Sequence, residues 1–277
     1  MTVHLPPDVG SRTPPEARPE RPVRRVVDRG MVVVGEILIT AGVILGLFVV
    51  WQLFYTDVQS GRIQSAALDE LEFPETARVE ASDNASTDTG VETPEVVELI
   101  PEDAKVYSPE GAPVLGELAE ATTFGALHVP RWGYDYVKPI SEGTNRARVL
   151  DPLGIGHYSE TVMPGAVGNF SVAGHRTTYG KPFTDIDQLQ EGDALVVQTE
   201  SAWYVYRVTD SEIVAPSYMA AIAPTPGEPG VAPTAASITL TTCHPRYSAA
   251  QRYIVYGELE YWAPTGQGYP SEIVEGA

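Results

Sequence analysis

Apolar positions fall along this chain in three regimes. The first is a near-continuous run from Met31 to about Phe54, interrupted by Glu36, Thr40 and Gln52. A helix needs roughly 20 residues to cross the hydrocarbon core of a bilayer. Residues 31–54 are therefore expected to form a transmembrane helix. Glu36 lies near the entry end, where a carboxylate reaches the interface at tolerable cost. Trp51 and Tyr55 suit the aromatic belt at the far side. Arg21, Arg24, Arg25 and Arg29 precede the run, which predicts a cytoplasmic N-terminus and an outer location for everything after residue 55. A cleaved signal peptide is the rival, but no convincing small-x-small site follows the run.

The second regime has no usable period. Residues 1–30, rich in Pro and Arg, read as a disordered cytoplasmic tail. Residues 55–118 are acidic and read as an extracellular linker, with Asp69, Glu70, Glu72, Glu75, Glu80 and Asp83 facing few positive partners. Within it, Val58 to Leu71 can continue as a helix. The Ala/Ser/Thr/Asp/Gly mix from Thr76 to Thr93 reads as a solvated, disordered spacer.

The third regime begins near residue 119 and runs to about 263. Its apolar residues alternate with period 2 over short runs punctuated by Gly and Pro. Strands are expected near Thr123, over 168–174 and 194–199, from Trp203 to Val214, over 237–243 and over 251–260. Residues 131–140 suit a hairpin arm, and 150–157 are turn-rich. Short helices fit near 183–189 and 218–222. Many short strands with such turns argue for an all-β barrel or sandwich. Residues 224–236 form a long Pro/Gly/Ala-rich connection, of the kind that is often functional. Residues 264–277 read as a loose C-terminal tail.

Composition sharpens this picture in two places. The formal net charge is −19, with 37 acidic against 18 basic residues. That balance argues against nucleic acid as a partner, since phosphates call for Lys and Arg. There is one cysteine, Cys243, so no internal disulfide forms and stability must come from burial.

Cys243 lies in the run Ser237-Ile-Thr-Leu-Thr-Thr-Cys-His-Pro-Arg-Tyr247. Pro245 stops that strand because proline has no N–H to give the ladder. A thiol at a strand end is rigidly held yet reaches solvent. The strand from Gln251 begins with Arg252 in second place, and pairing of the two strands brings thiol and guanidinium to one end of a sheet. A reactive thiolate needs a base and a group that stabilises negative charge. His175, His157 and His128 are candidate bases. His244 is poorly placed, because consecutive strand residues point to opposite faces.

Thr239-Leu-Thr-Thr-Cys243 followed by Arg252 resembles the Thr-Leu-x-Thr-Cys and Arg signature of the sortases. Gly168-Asn-Phe-Ser-Val-Ala-Gly-His-Arg176 resembles that family's catalytic-histidine segment. The Cys-His-Pro variant at 243–245 is most similar to class E sortases of high-GC Gram-positive bacteria. The likeness runs from about Ala121 to Tyr261.

The resemblance implies a closed β-barrel of about eight strands with short helices. It implies Cys243 as nucleophile, His175 as general acid and base, and Arg252 as the oxyanion-stabilising group. It also implies Thr242 as a substrate-groove residue, and a connection before the cysteine strand that helps to hold the peptide. The implied partners are secreted proteins with C-terminal sorting signals of the Leu-Ala/Pro-x-Thr-Gly kind, cut after Thr, and a cell-wall amine acceptor. No cofactor is implied. The acidic loops and scattered histidines show no metal-ligand spacing, and no metal is expected.

Unperturbed, a thiol titrates at about 8.5 and an imidazole at about 6.5. Roughly 1% of such pairs then carry thiolate and imidazolium together, which predicts slow turnover. Two rival readings keep the same residues. In one, the chain is an anchored non-enzymatic β-domain that binds wall or surface partners, with Cys243 and His175 as packing residues. In the other, water resolves the thioester and the protein is a cysteine hydrolase.

Overall fold

The computed structural model describes residues 22–51, 56–71, 73 and 97–277. The expected disorder of residues 1–21 and of the spacer at 76–93 lies outside the described residues, as does Tyr55. The chain divides into two units, one ending at Trp51 and one beginning at Gln52.

The first unit contains helix α1, Pro22–Val50. It starts inside the stretch expected to be disordered, at Pro22, a residue suited to the first helical position. The portion Gly30–Val50 has a mean hydropathy of 2.5 and none of it is buried, so it is long and apolar enough to cross a membrane.

The second unit opens with helix α2, Thr56–Asp69. Its core is a closed barrel of eight strands. These are β1 (Thr123–His128), β2 (Val137–Glu142), β3 (Ile155–His157), β4 (Gly168–Gly174), β5 (Ala194–Thr199), β6 (Ala202–Val214), β7 (Ala236–His244) and β8 (Gln251–Pro264). Their order round the barrel is β1-β2-β3-β4-β7-β8-β6-β5. Two neighbouring pairs are parallel, β2 with β3 and β4 with β7. The stretch read as turn-rich near 150–157 is the crossover that the first pair requires. It holds a one-turn helix α3, Asp151–Leu153, and then β3.

Strand parity divides the apolar residues between two cores. Phe170, Leu195, Val197, Tyr204, Tyr206, Ile238, Leu240 and Val255 fill the barrel. Val196, Trp203, Val205, Tyr261 and Ala263 point outward from β5, β6 and β8 into a second apolar cluster. Burying a side chain of this size stabilises by about 1.5–3 kcal/mol, so that outer face demands a cover.

The C-terminal tail supplies the cover and is not loose. Tyr269 and Ile273 pack into the second cluster, and the Trp203 indole Nε1–H donates to the Gly268 carbonyl at 3.1 Å. Glu272 accepts from Arg207 at 2.6 Å and from the Tyr261 hydroxyl at 2.8 Å. The expected spacer also ends early. Leu99 and Val106 form β-bridges with Tyr269 and Trp262, and Ile100 is buried against the same cluster.

Candidate active site

The site residues gather at one rim of the barrel, where β4 and β7 end and β8 begins. Cys243 and Arg252 are register partners in the antiparallel β7–β8 ladder. Cys243 is partly exposed. It shares the outward face with Thr239 and Thr241, while Ile238, Leu240 and Thr242 take the other parity.

His175 follows the last residue of β4, which runs parallel to β7 with Ala173 opposite Thr241. The strand ends close in here for a physical reason. A Cβ on Gly174 would lie 2.8 Å from the ring of the buried Phe183, so only glycine lets residues 182–183 pack across the strand end. The Thr242 hydroxyl then ties the two strands, donating to the Gly174 carbonyl at 2.7 Å. His175 is thereby brought to the Cys243 end of the rim.

Thr242 itself is 4% exposed and spent on that tie. Thr241 faces the cavity instead. With Tyr158, Arg252, Ile254, Met219 and Ala221 it lines a small cavity of about 50 Å³. The Tyr158 hydroxyl and the Thr241 hydroxyl are 3.0 Å apart. Burial pushes the Tyr158 phenol above its ordinary value, opposed by its bond to Thr241 and by the nearby Arg252 charge. The phenol is therefore neutral at physiological pH. The connection between β6 and β7 reaches this cavity through Pro216, Tyr218, Met219, Ala221 and Ile222, its first half, and not through residues 224–236.

Arg252 Nη1 donates to the carbonyls of Ala249 at 3.1 Å and Gln251 at 2.9 Å. These bonds steady the guanidinium on the β7–β8 turn. Arg176, beside His175, is buried; it bonds Asp187 at 2.8 Å and His244 Nδ1 at 2.8 Å, and lies over the Tyr253 ring. His244 is thus engaged with an arginine on the far side of the thiol strand.

His157 on β3 and His128 on β1 are buried. His157 Nδ1 meets Glu142 at 2.7 Å, and its ring stacks on Phe170. His128 contacts Gln198 and packs against Trp203, and burial lowers its pKa to about 4. Of the three candidate bases, His175 is the one whose strand end lies at the Cys243 rim. Its Nε2 bonds Asp151 Oδ1 at 2.7 Å, and its ring lies 5.2 Å from that of Tyr179.

Asp151, Tyr158 and Thr241 are rim residues that sequence reasoning missed. The Asp-Pro pair at 151–152 signals a helix start, but nothing local says which histidine that carboxylate will meet. Chemically, the rim offers a partly exposed thiol, an imidazole whose second nitrogen is held by a carboxylate, and a permanent cation. That is the equipment of nucleophilic acyl transfer.

A family model for the sortase domain matches residues 127–260. Over 265 residues, 94% of this chain, the sequence is 33% identical to Sortase SrtE1 of Streptomyces coelicolor, and the chain spans 65% of the length of that relative. Sortase SrtE2 of the same organism is 31% identical over 241 residues, 85% of this chain and 84% of that protein. The crystal structure of Sortase E1 from Streptomyces coelicolor with a tripeptide in its active site superposes with a TM-score of 0.52. The identity there is 38%, covering 56% of this chain and 100% of that one.

Proposed function

The chain belongs to the sortase family, with likeness to class E, and from that membership and the geometry of its rim we propose that it is a cysteine transpeptidase anchored by α1. The observation that carries this reading is the opposition of Cys243 and Arg252 across β7–β8, with His175 delivered to the same rim.

The Cys243 thiolate attacks the carbonyl carbon of a Thr-Gly peptide bond in a Leu-Ala/Pro-x-Thr-Gly-like signal. The carbonyl oxygen takes the negative charge, and the Arg252 guanidinium stabilises it. Collapse breaks the C–N bond, and the His175 imidazolium gives its proton to the leaving glycine amine. A thioester and a neutral imidazole remain. An amine acceptor then attacks the thioester, neutral His175 takes its proton, and the Cys243 thiolate leaves. One amide has replaced another, so no oxidant or cofactor enters the balance. Water in place of the amine gives hydrolysis as a side activity.

The small cavity lined by Tyr158, Thr241 and Ile254 beside Arg252 suits a small side chain of the signal close to the reacting carbonyl. The crystal structure of Sortase E1 holds a tripeptide in its active site, and a peptide on this rim fits that precedent. The partners in this reading are secreted proteins carrying such signals and a cell-wall amine. With Arg21, Arg24, Arg25 and Arg29 preceding the apolar portion of α1, the catalytic unit lies outside the membrane.

The test uses the full chain in detergent micelles with a Leu-Ala-x-Thr-Gly peptide and an excess of amine, beside a Cys243→Ala control. A Cys243-dependent product cut after Thr and joined to the amine supports the proposal. Cleavage without joining points to hydrolysis. No turnover, with Cys243 resistant to alkylation in the folded protein, refutes it.

A further inference from the structure

Helix α2 presents an unusual inner face. Ser60, Gln64 and Ala67, spaced for one side of a helix, are 4%, 2% and 7% exposed. Two of the three are polar, so burial is favourable only if their polar groups find partners. Both do, and both partners flank His175. The Ser60 hydroxyl donates to the Asp151 carbonyl at 3.0 Å. The Gln64 amide donates to the Tyr179 carbonyl at 3.0 Å.

Asp151 and Tyr179 are the residues that hold the His175 ring. Asp151 Oδ1 lies 2.7 Å from Nε2, and the Tyr179 ring lies against the imidazole at a tilt of 35°. A carboxylate only accepts, so Nε2 carries the proton and Nδ1 is the nitrogen left for chemistry. The Tyr179 turn is costly backbone. Tyr179, Gly180 and Lys181 have φ of 55°, 79° and 44°, three consecutive left-handed residues of which two carry a Cβ. Such a turn persists only where its surroundings fix it. Asp57 of α2 does so, accepting from the Gly180 N–H at 3.2 Å and pairing with Lys181 at 2.9 Å.

Building on the transpeptidase reading, we propose that Asp151 is the positioning residue of His175, and that α2 acts as a brace which holds Asp151 and the Tyr179 turn in register through Ser60 and Gln64. Asp151 selects the Nε2–H tautomer and aims Nδ1 at the rim. The segment just after the apolar helix then contributes to catalysis without touching substrate.

The experiment uses the full chain in detergent. The wild type is compared with Asp151→Ala, Asp151→Asn and the pair Ser60→Ala/Gln64→Ala, each checked for a cooperative melt. Steady-state turnover of the peptide with amine is read together with the ¹⁵N shifts of His175. The expected results are a roughly 100-fold loss of kcat in Asp151→Ala with KM within about two-fold. Asp151→Asn, which keeps an acceptor oxygen, is expected to recover part of the loss, and the α2 pair to lose about ten-fold. His175 should be the Nε2–H tautomer in the wild type and a tautomer mixture in Asp151→Ala. A folded Asp151→Ala with wild-type kcat overturns the positioning role, and so does a wild-type His175 protonated on Nδ1 alone. A folded α2 pair with wild-type kcat overturns the brace. If the wild type turns over no peptide, the transpeptidase reading fails. The ¹⁵N tautomer of His175 in wild type and in both sets of variants still decides whether Asp151 and α2 position the ring.

Discussion

The Thr242 hydroxyl donates to the carbonyl of Gly174 at 2.7 Å, so the residue before Cys243 is tied to the residue before His175. That buried hydrogen bond carries the β4–β7 pairing one step beyond Ala173 and Thr241, between the strands that bear the proposed base and nucleophile. Thr242→Val keeps the volume and removes the donor. The expected outcome is about 1–2 kcal/mol of lost stability, and a kcat lowered about ten-fold with Cys243 still open to alkylation. Chemical denaturation and peptide turnover on the same sample check both parts.

Arg252 carries a permanent charge at the register partner of the thiol. Arg252→Ala is expected to lower kcat by about 10²–10³, the range seen when one oxyanion donor is lost. Arg252→Lys keeps the charge but not the planar fork, and should recover only part of that loss. Single-turnover acylation measured by mass is the readout. An Arg252→Ala variant that acylates at the wild-type rate would remove Arg252 from the mechanism.

Tyr158 meets Thr241 in the cavity beside Arg252. Its phenol is neutral at working pH, so its contribution is shape and hydrogen bonding. Tyr158→Phe is expected to raise KM several-fold while kcat changes less than two-fold. Varying the fourth position of the signal peptide, the Thr at the reacting carbonyl, against wild type and variant measures the effect.

Glu142 and His157 form a buried pair, with side chains 7% and 1% exposed. Removing one partner strands the other. His157→Ala is expected to cost about 3–5 kcal/mol, and Cys243 should stay alkylatable in the fraction that remains folded. Urea titration of the variant tests this, and a cost below about 1 kcal/mol would show that the pair is dispensable.

His128 supplies an acid limb to stability. Its pKa in the folded chain is lowered to about 4 by burial, from an ordinary value of 6.5. As pH falls through 6.5 the unfolded chain takes up a proton that the folded chain refuses. The loss grows until about pH 4 and amounts to about 3 kcal/mol. His128→Gln keeps a donor for Gln198 and does not titrate. The difference in unfolding free energy between wild type and variant should therefore shift by that amount between pH 7 and pH 4.

The order of residues by itself determined a good deal. The apolar run of α1 needs only length and composition to show that it can cross a bilayer core. Strands β1, β4, β7 and β8 were legible from period-2 alternation, and Cys243, His175 and Arg252 stood out as candidates through local motifs at strand ends. What stayed hidden depended on faces. In β6, Trp203 and Tyr204 look alike in sequence, yet one faces the barrel interior and the other the outer cluster. That second buried face is why the tail after Ala263 packs where it was expected to be loose. Parity likewise decided that Thr241, not Thr242, lies in the cavity beside Arg252. Asp151 lies 24 residues from His175, and Gln64 lies 115 from Tyr179. No local pattern can join such pairs. Only the parallel crossovers of the barrel and the docking of α2 bring them into contact, because a hydrogen bond is fixed by distance in space and not by separation along the chain.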